Sequence, residues 1–168
     1  MPLFKNKPVT FNGVKAEKGT KVKDFKVMNI AFEEVKYSNY NTFPIKVISV
    51  VPSLDTSVCS LQTSKVNTEL AKDKRVVVLT ISNDLPFAQK RWCGNSGIEN
   101  IITLSDYLHN DFGTKFGILM NEFKLLARAV YIVNSNDEIV YVEYVDNMST
   151  HPNYEELIKH LNAEISKL

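Results

Sequence analysis

The chain has 168 residues, 44% apolar and 23% charged, the balance of a globular domain rather than a disordered tail. Lysine and arginine number 20 against 19 aspartates and glutamates, and a net charge of +1 gives no electrostatic drive toward nucleic acid or an anionic membrane. No apolar run approaches the ~20 residues that cross a bilayer, and the opening Met1-Pro2-Leu3-Phe4-Lys5-Asn6-Lys7-Pro8 has no apolar stretch behind its charges, so a cytoplasmic protein without a signal peptide is expected.

In chain order, Val9 to Val14 reads as a hairpin around the Asn12-Gly13 turn. Ile45 to Val51 and Arg75 to Ile81 are nearly continuous β-branched runs, the pattern of parallel strands buried on both faces. Between them Val58 to Lys72 has a helical pattern, giving a right-handed βαβ unit. Asp84 is a candidate cap for a second helix, with Pro86 in its first turn, Cys93 near its end and Gly94 as its stop. Ile101 to Leu104 is a short strand, and Asp106 to Phe123 mixes helix and loop. Ala127 to Val133 and Ile139 to Val145 are strands around the turn Asn134-Ser135-Asn136-Asp137. Tyr154, Leu157, Ile158, Leu161 and Ile165 line one face of a last helix. This order predicts one α/β domain over 1–168, with 1–20 as an N-terminal hairpin extension. Its architecture is a thioredoxin-like fold: a central mixed β-sheet flanked by helices.

Cellular reductants keep cytoplasmic thiols reduced, so Cys59 and Cys93 are either inert buried thiols or a redox pair rather than a permanent staple. From Val51 to Cys59 a buried strand ends, a turn containing Pro52 follows, and a helix begins. Cys59 therefore falls in the first helical turn, where free N–H groups favour an anion such as a thiolate. An ordinary thiol is about 3% ionised at neutral pH, and ionising it to about 90% takes about 3.4 kcal/mol. A helix terminus supplies at best about 2 kcal/mol, so a cation and hydroxyl donors must contribute the rest. Thr56 can aim its hydroxyl at the sulfur, and Arg128, set in the apolar run Leu125 to Val130, is the candidate cation. Each has a plainer alternative. Cys59 can be inert packing, Thr56 only a helix cap, and Arg128 the partner of a carboxylate such as Glu122.

Pro52-x-x-x-Thr56-x-x-Cys59 resembles the signature of the peroxiredoxins. The strings Ser49 to Thr56, Leu79 to Ser82, Asp84 to Gly94 and Leu125 to Val130 are similar to those of the bacterial thiol peroxidases, atypical two-cysteine peroxiredoxins. The similarity runs from about Val9 to the final helix. Two departures stand out. No proline precedes Asp24 in the run Lys21 to Phe25, and Ser64 and Lys65 occupy positions where arginines are usual. The resemblance implies a peroxidatic Cys59, a resolving Cys93, Thr56 and Arg128 as thiolate and peroxide ligands, and Pro52 shielding the pocket. It also implies hydrogen peroxide and organic hydroperoxides as substrates, thioredoxin as reductant, a homodimer, and no metal or organic cofactor. A general thiol-disulfide oxidoreductase would favour a Cys-x-x-Cys turn, which is absent, and a non-catalytic redox sensor using the same cysteines is a second alternative. His109, His151 and His160 lack zinc-site spacing and read as surface residues, while Trp92 reads as a partly buried core aromatic.

Overall fold

The computed structural model describes residues 1–99 and 101–168. The chain opens with β1 (Leu3–Phe4), β2 (Lys7–Pro8), β3 (Lys26–Met28) and β4 (Glu34–Lys36). It continues through β5 (Ile45–Val50), α1 (Ser57–Leu70), β6 (Val76–Ser82), α2 (Pro86–Ser96) and β7 (Ile102–Ser105). It ends with α3 (Asp111–Lys115), β8 (Ala129–Val133), β9 (Ile139–Tyr144) and α4 (Tyr154–Ser166). Among the described residues seven strands form one sheet in the order β4-β3-β7-β6-β5-β8-β9, and β1 and β2 pair separately. β5, β6 and β7 run parallel, and the outer strands are antiparallel, so the sheet is mixed.

Every residue of β5 and β6 is buried, because both faces of these central strands are covered. Val47, Val76 and Val78 meet Val66 and Leu70 of α1 and Leu157 and Leu161 of α4 on one face. Ile48, Val50, Leu79 and Ile81 belong to the second core, with Phe112 and Phe116. The stripe predicted for α4 packs as expected, since Tyr154, Ile158 and Ile165 join Leu157 and Leu161 in the first core. Because β5 and β6 are parallel neighbours, the chain leaves both at the same end of the sheet. The segments that carry Cys59 and Cys93 therefore start side by side.

Three local expectations differ. The hairpin lies at Leu3–Pro8 rather than at Val9–Val14, because Lys5 and Asn6 both take positive φ, 52° and 60°, and make the two-residue turn. Phe11 instead bridges to Met120. Asp84 does not cap α2: Leu85 holds that position without a side-chain bond, and the Asp84 carboxylate is engaged elsewhere. Finally, α2 continues through Gly94 and stops at Gly97, whose φ of 70° suits the left-handed cap.

Two tethers matter below. Leu3 N donates to Asp146 O at 2.7 Å, and Met148 N donates to Leu3 O at 3.1 Å, binding the N-terminal strand to the loop before α4. Buried Asp106 accepts from Phe112 N at 3.0 Å and Gly113 N at 2.8 Å and so holds α3. Burial pushes Asp106 up to about 7, against the pull of these N–H groups.

Candidate active site

Beyond β5 the buried Val51 and Pro52 end the strand, and a short loop leads to Thr56, the N-cap of α1. The Thr56 hydroxyl accepts from Cys59 N at 3.4 Å and donates to Ser53 O at 3.3 Å. Contrary to expectation, both of these bonds go to main chain rather than to the sulfur. The reason is its position as cap, where a hydroxyl satisfies a free N–H of the first turn.

Cys59 is 1% exposed and Arg128 is 2% exposed. Arg128 sits just before β8, and its Nη2 donates to Cys59 Sγ at 3.0 Å. Its Nη1 donates to Gln62 Oε1 at 2.7 Å, while Nε and Nη2 donate to Met148 O at 3.1 and 2.9 Å. Gln62 is fixed in turn by donating to Ser49 Oγ at 3.0 Å. Glu122, the alternative partner for Arg128, is occupied by the main-chain N–H and hydroxyl of Thr10. None of the groups that meet the guanidinium is a carboxylate.

Cys93 stands apart. It is half-buried on α2, with its sulfur 3.5 Å from Thr103 Oγ1 on β7, and both cysteines are free thiols. Between the two helices lies Trp92. Its ring packs with Val51, Leu54 and Cys59, and its Nε1 donates to Ser60 Oγ at 3.0 Å.

On the other flank stands Tyr154, whose phenol is raised to about 12, by burial above all, against the pull of the Arg128 guanidinium and with a further push from the Glu143 carboxylate. Its hydroxyl meets Nδ1 of the exposed His151 at 2.8 Å. Ser64 and Lys65, the departures noted above, border a groove of about 570 Å³ that also reaches Tyr154. Lys65 Nζ lies over the Tyr154 ring, 4.9 Å from its centroid.

Gln62, Met148 and Tyr154 were not anticipated as site residues. Gln62 carried a usable signal, since it lies three residues after Cys59 on the same helical face. Met148 carried none, because it contributes a main-chain oxygen.

A thiol held in a helical first turn against a buried guanidinium can act as a nucleophile, and the second N–H of Arg128 Nη1, beyond the one bonded to Gln62, can hold a polar reactant. The Redoxin family model matches residues 17–158. A thiol peroxidase from Oceanobacillus iheyensis is 49% identical over 159 residues, 95% of this chain and 96% of that one. The thiol peroxidase of Listeria innocua is 51% identical over 156 residues, covering 93% and 94%. The crystal structure of a peroxiredoxin-like protein from Aquifex aeolicus superposes with a TM-score of 0.86 at 33% identity, over 95% of this chain and 94% of that one. With the mixed sheet and the sulfur–guanidinium contact already in place, this similarity along almost the full length means that the chain belongs to the redoxin family and, within it, to the thiol peroxidases, enzymes that reduce peroxides with a thiol.

Proposed function

We propose that Cys59 is the peroxidatic nucleophile and that Cys93 resolves its oxidised form within the same subunit. The observation that carries this reading is the Arg128 guanidinium, which is 2% exposed, lies 3.0 Å from Cys59 Sγ and is bonded to no carboxylate. Burying a cation without a counter-ion costs several kcal/mol. A thiolate at Cys59 supplies that counter-ion and is at once the reactive form.

The Cys59 thiolate attacks the terminal oxygen of a hydroperoxide. The S–O bond forms, the O–O bond breaks, and the leaving oxygen takes a proton and departs as water or an alcohol. Arg128 stabilises the charge that moves onto that oxygen. Thr56 acts by capping α1 and fixing the main chain around Cys59, and Pro52 closes the pocket from the strand side. Cys59 is now a sulfenic acid. The Cys93 thiol then attacks the Cys59 sulfur. An S–S bond forms, the S–O bond breaks, and the hydroxyl leaves with the thiol proton as water. The Cys59 sulfur is held by Arg128 and the Cys93 sulfur lies against Thr103, so both must leave these partners through local opening before they meet. Thioredoxin, a dithiol reductant, resets the pair by exchange.

The working protein is in this reading a cytosolic homodimer of one-domain subunits, 1–168, with residues 1–20 as an extension of the fold. Its substrates are hydrogen peroxide and organic hydroperoxides, and it uses neither a metal nor an organic cofactor. The test is a pair of variants assayed with thioredoxin and its reductase. Cys59→Ser should lose all peroxide reduction. Cys93→Ser should react once, stall as a sulfenic acid and lose cycling. Normal turnover in Cys59→Ser overturns the nucleophile assignment, and normal cycling in Cys93→Ser overturns the resolving one.

A further inference from the structure

The loop before Cys59 and the helix that carries Cys93 meet at a seam held by one carboxylate. Asp84, in the turn from β6 to α2, accepts from Ser53 Oγ on Oδ1, and from Leu54 N and Ser82 Oγ on Oδ2, each at 2.7 Å. Ser53 and Leu54 belong to the loop that delivers Thr56 and Cys59. On the opposite side, the fully buried Gln89 of α2 donates to Ser82 Oγ at 3.1 Å and to Leu104 O at 3.0 Å. A continuous chain of bonds thus runs from α2 through Ser82 and Asp84 to the loop of Cys59.

The second tie is Trp92 Nε1 on Ser60 Oγ. Between the two ties lies a cleft of about 140 Å³ lined in part by Leu54, Asp84, Ala88 and Trp92. The seam is therefore tied by directed bonds on either side of this cleft, beside the packing of the Trp92 ring on Leu54. Three donors converge on the two oxygens of this carboxyl group, so an acceptor-only side chain suits the position.

We propose that Asp84 is a positioning residue that sets the balance between the two chemical steps. While its bonds hold, the loop keeps Cys59 against Arg128 in the geometry for peroxide attack. The same bonds must break before the loop and α2 can separate and bring Cys93 to the sulfenic acid. This inference rests on Cys93 as the resolving thiol. Loosening the strut slows attack and speeds disulfide formation, whereas a general folding defect slows both.

The experiment is rapid quenching after mixing with hydrogen peroxide, with sulfenic, sulfinic and disulfide forms counted by mass spectrometry. Asp84→Asn keeps the shape but puts an NH2 where an acceptor oxygen stood. Its disulfide formation should be about tenfold faster and its peroxide attack about tenfold slower, each equal to about 1.4 kcal/mol, with less sulfinic acid at high peroxide. Ser53→Ala removes one donor from the loop side only and should move both rates in the same directions, about threefold. Both rates unchanged, or both reduced together, in the two variants overturns the proposal. A wild-type protein that forms no Cys59–Cys93 disulfide overturns the resolving assignment and this inference with it. A wild-type protein that forms one while neither variant shifts the balance overturns the inference alone.

Discussion

Arg128 meets a sulfur, an amide oxygen and a main-chain carbonyl, and its substitutions separate charge from shape. Lysine keeps the charge but loses the planar fork that reaches Cys59, Gln62 and Met148 together. Arg128→Lys should lower the peroxide rate about tenfold. Arg128→Met should lower it about a hundred- to thousandfold, the usual effect of removing a donor aimed at developing charge. Alkylation of Cys59 at neutral pH should also slow in Arg128→Met, but by less, because alkylation does not use the arginine on the leaving oxygen. Equal losses in the two assays would confine Arg128 to holding the thiolate, and no loss in either would make it a structural residue. Cys59, Thr56 and Arg128 were legible in the sequence because each is an unusual residue for its place: a thiol at a helix start, a hydroxyl at the cap, an arginine among aliphatic neighbours. The groups that aim the arginine were not. A glutamine on a helix reads as a surface residue until its burial is known, and a carbonyl has no side-chain signature.

Helix α2, which carries Cys93, holds a glycine near its end. Gly94 is exposed within the helix, one residue after Cys93, and an added Cβ there meets nothing within 4 Å. Gly94→Ala should therefore raise stability by about 0.5–1 kcal/mol, since glycine weakens a helix interior. The same stiffening should slow disulfide formation. Gly97→Ala should instead cost about 1 kcal/mol, because its φ of 70° strains any side chain. Thermal melts and the quench assay check both. The choice between these glycines was beyond sequence reading, which takes the first one past the periodic stretch as the stop. The hairpin was misplaced for a related reason: Lys5 and Asn6 lack the glycine that makes such turns recognisable. The anchor of α3 gives a pH dependence. Burial holds Asp106 at about 7 in the folded chain, above the range near 4 of an unfolded aspartate. Its contribution is complete below that lower range and lost as pH rises to about 7. Calorimetry should find the wild type gaining on Asp106→Asn by up to about 1.4 kcal/mol per pH unit as pH falls from about 7 to about 5, and flat above. A difference that does not vary with pH would mean that Asp106 stays ionised throughout.

The arrangement of the central strands was the most legible part of the architecture. Two unbroken β-branched runs separated by a helical stretch leave few alternatives to a parallel crossover, and β5 and β6 pair in parallel with α1 between them in the chain. The sheet edge was less so. β3 and β4 are three residues each and alternate too briefly to register as a pattern, yet β3 pairs with β7 and extends the sheet past the crossover. For the assembly, the expected outcome is a dimer by light scattering in both redox states. After peroxide treatment the protein should run as a monomer on a non-reducing gel, as the proposed pairing of Cys59 with Cys93 within each subunit requires. A covalent dimer as the main oxidised species would move the disulfide to the subunit boundary.

The Leu3 tether has a practical bearing on how the enzyme is handled. Met148 N donates to Leu3 O, and Met148 O receives two bonds from Arg128, so the first strand is one residue removed from the Arg128 guanidinium. An affinity tag fused ahead of Met1 should disturb that linkage, while the exposed Lys167 and Leu168 lie beyond the last turn of α4. Preparations that differ only in which end carries the tag should differ in peroxide rate, with the C-terminal fusion the faster, and removing residues 1–8 should depress the rate while leaving both thiols titratable.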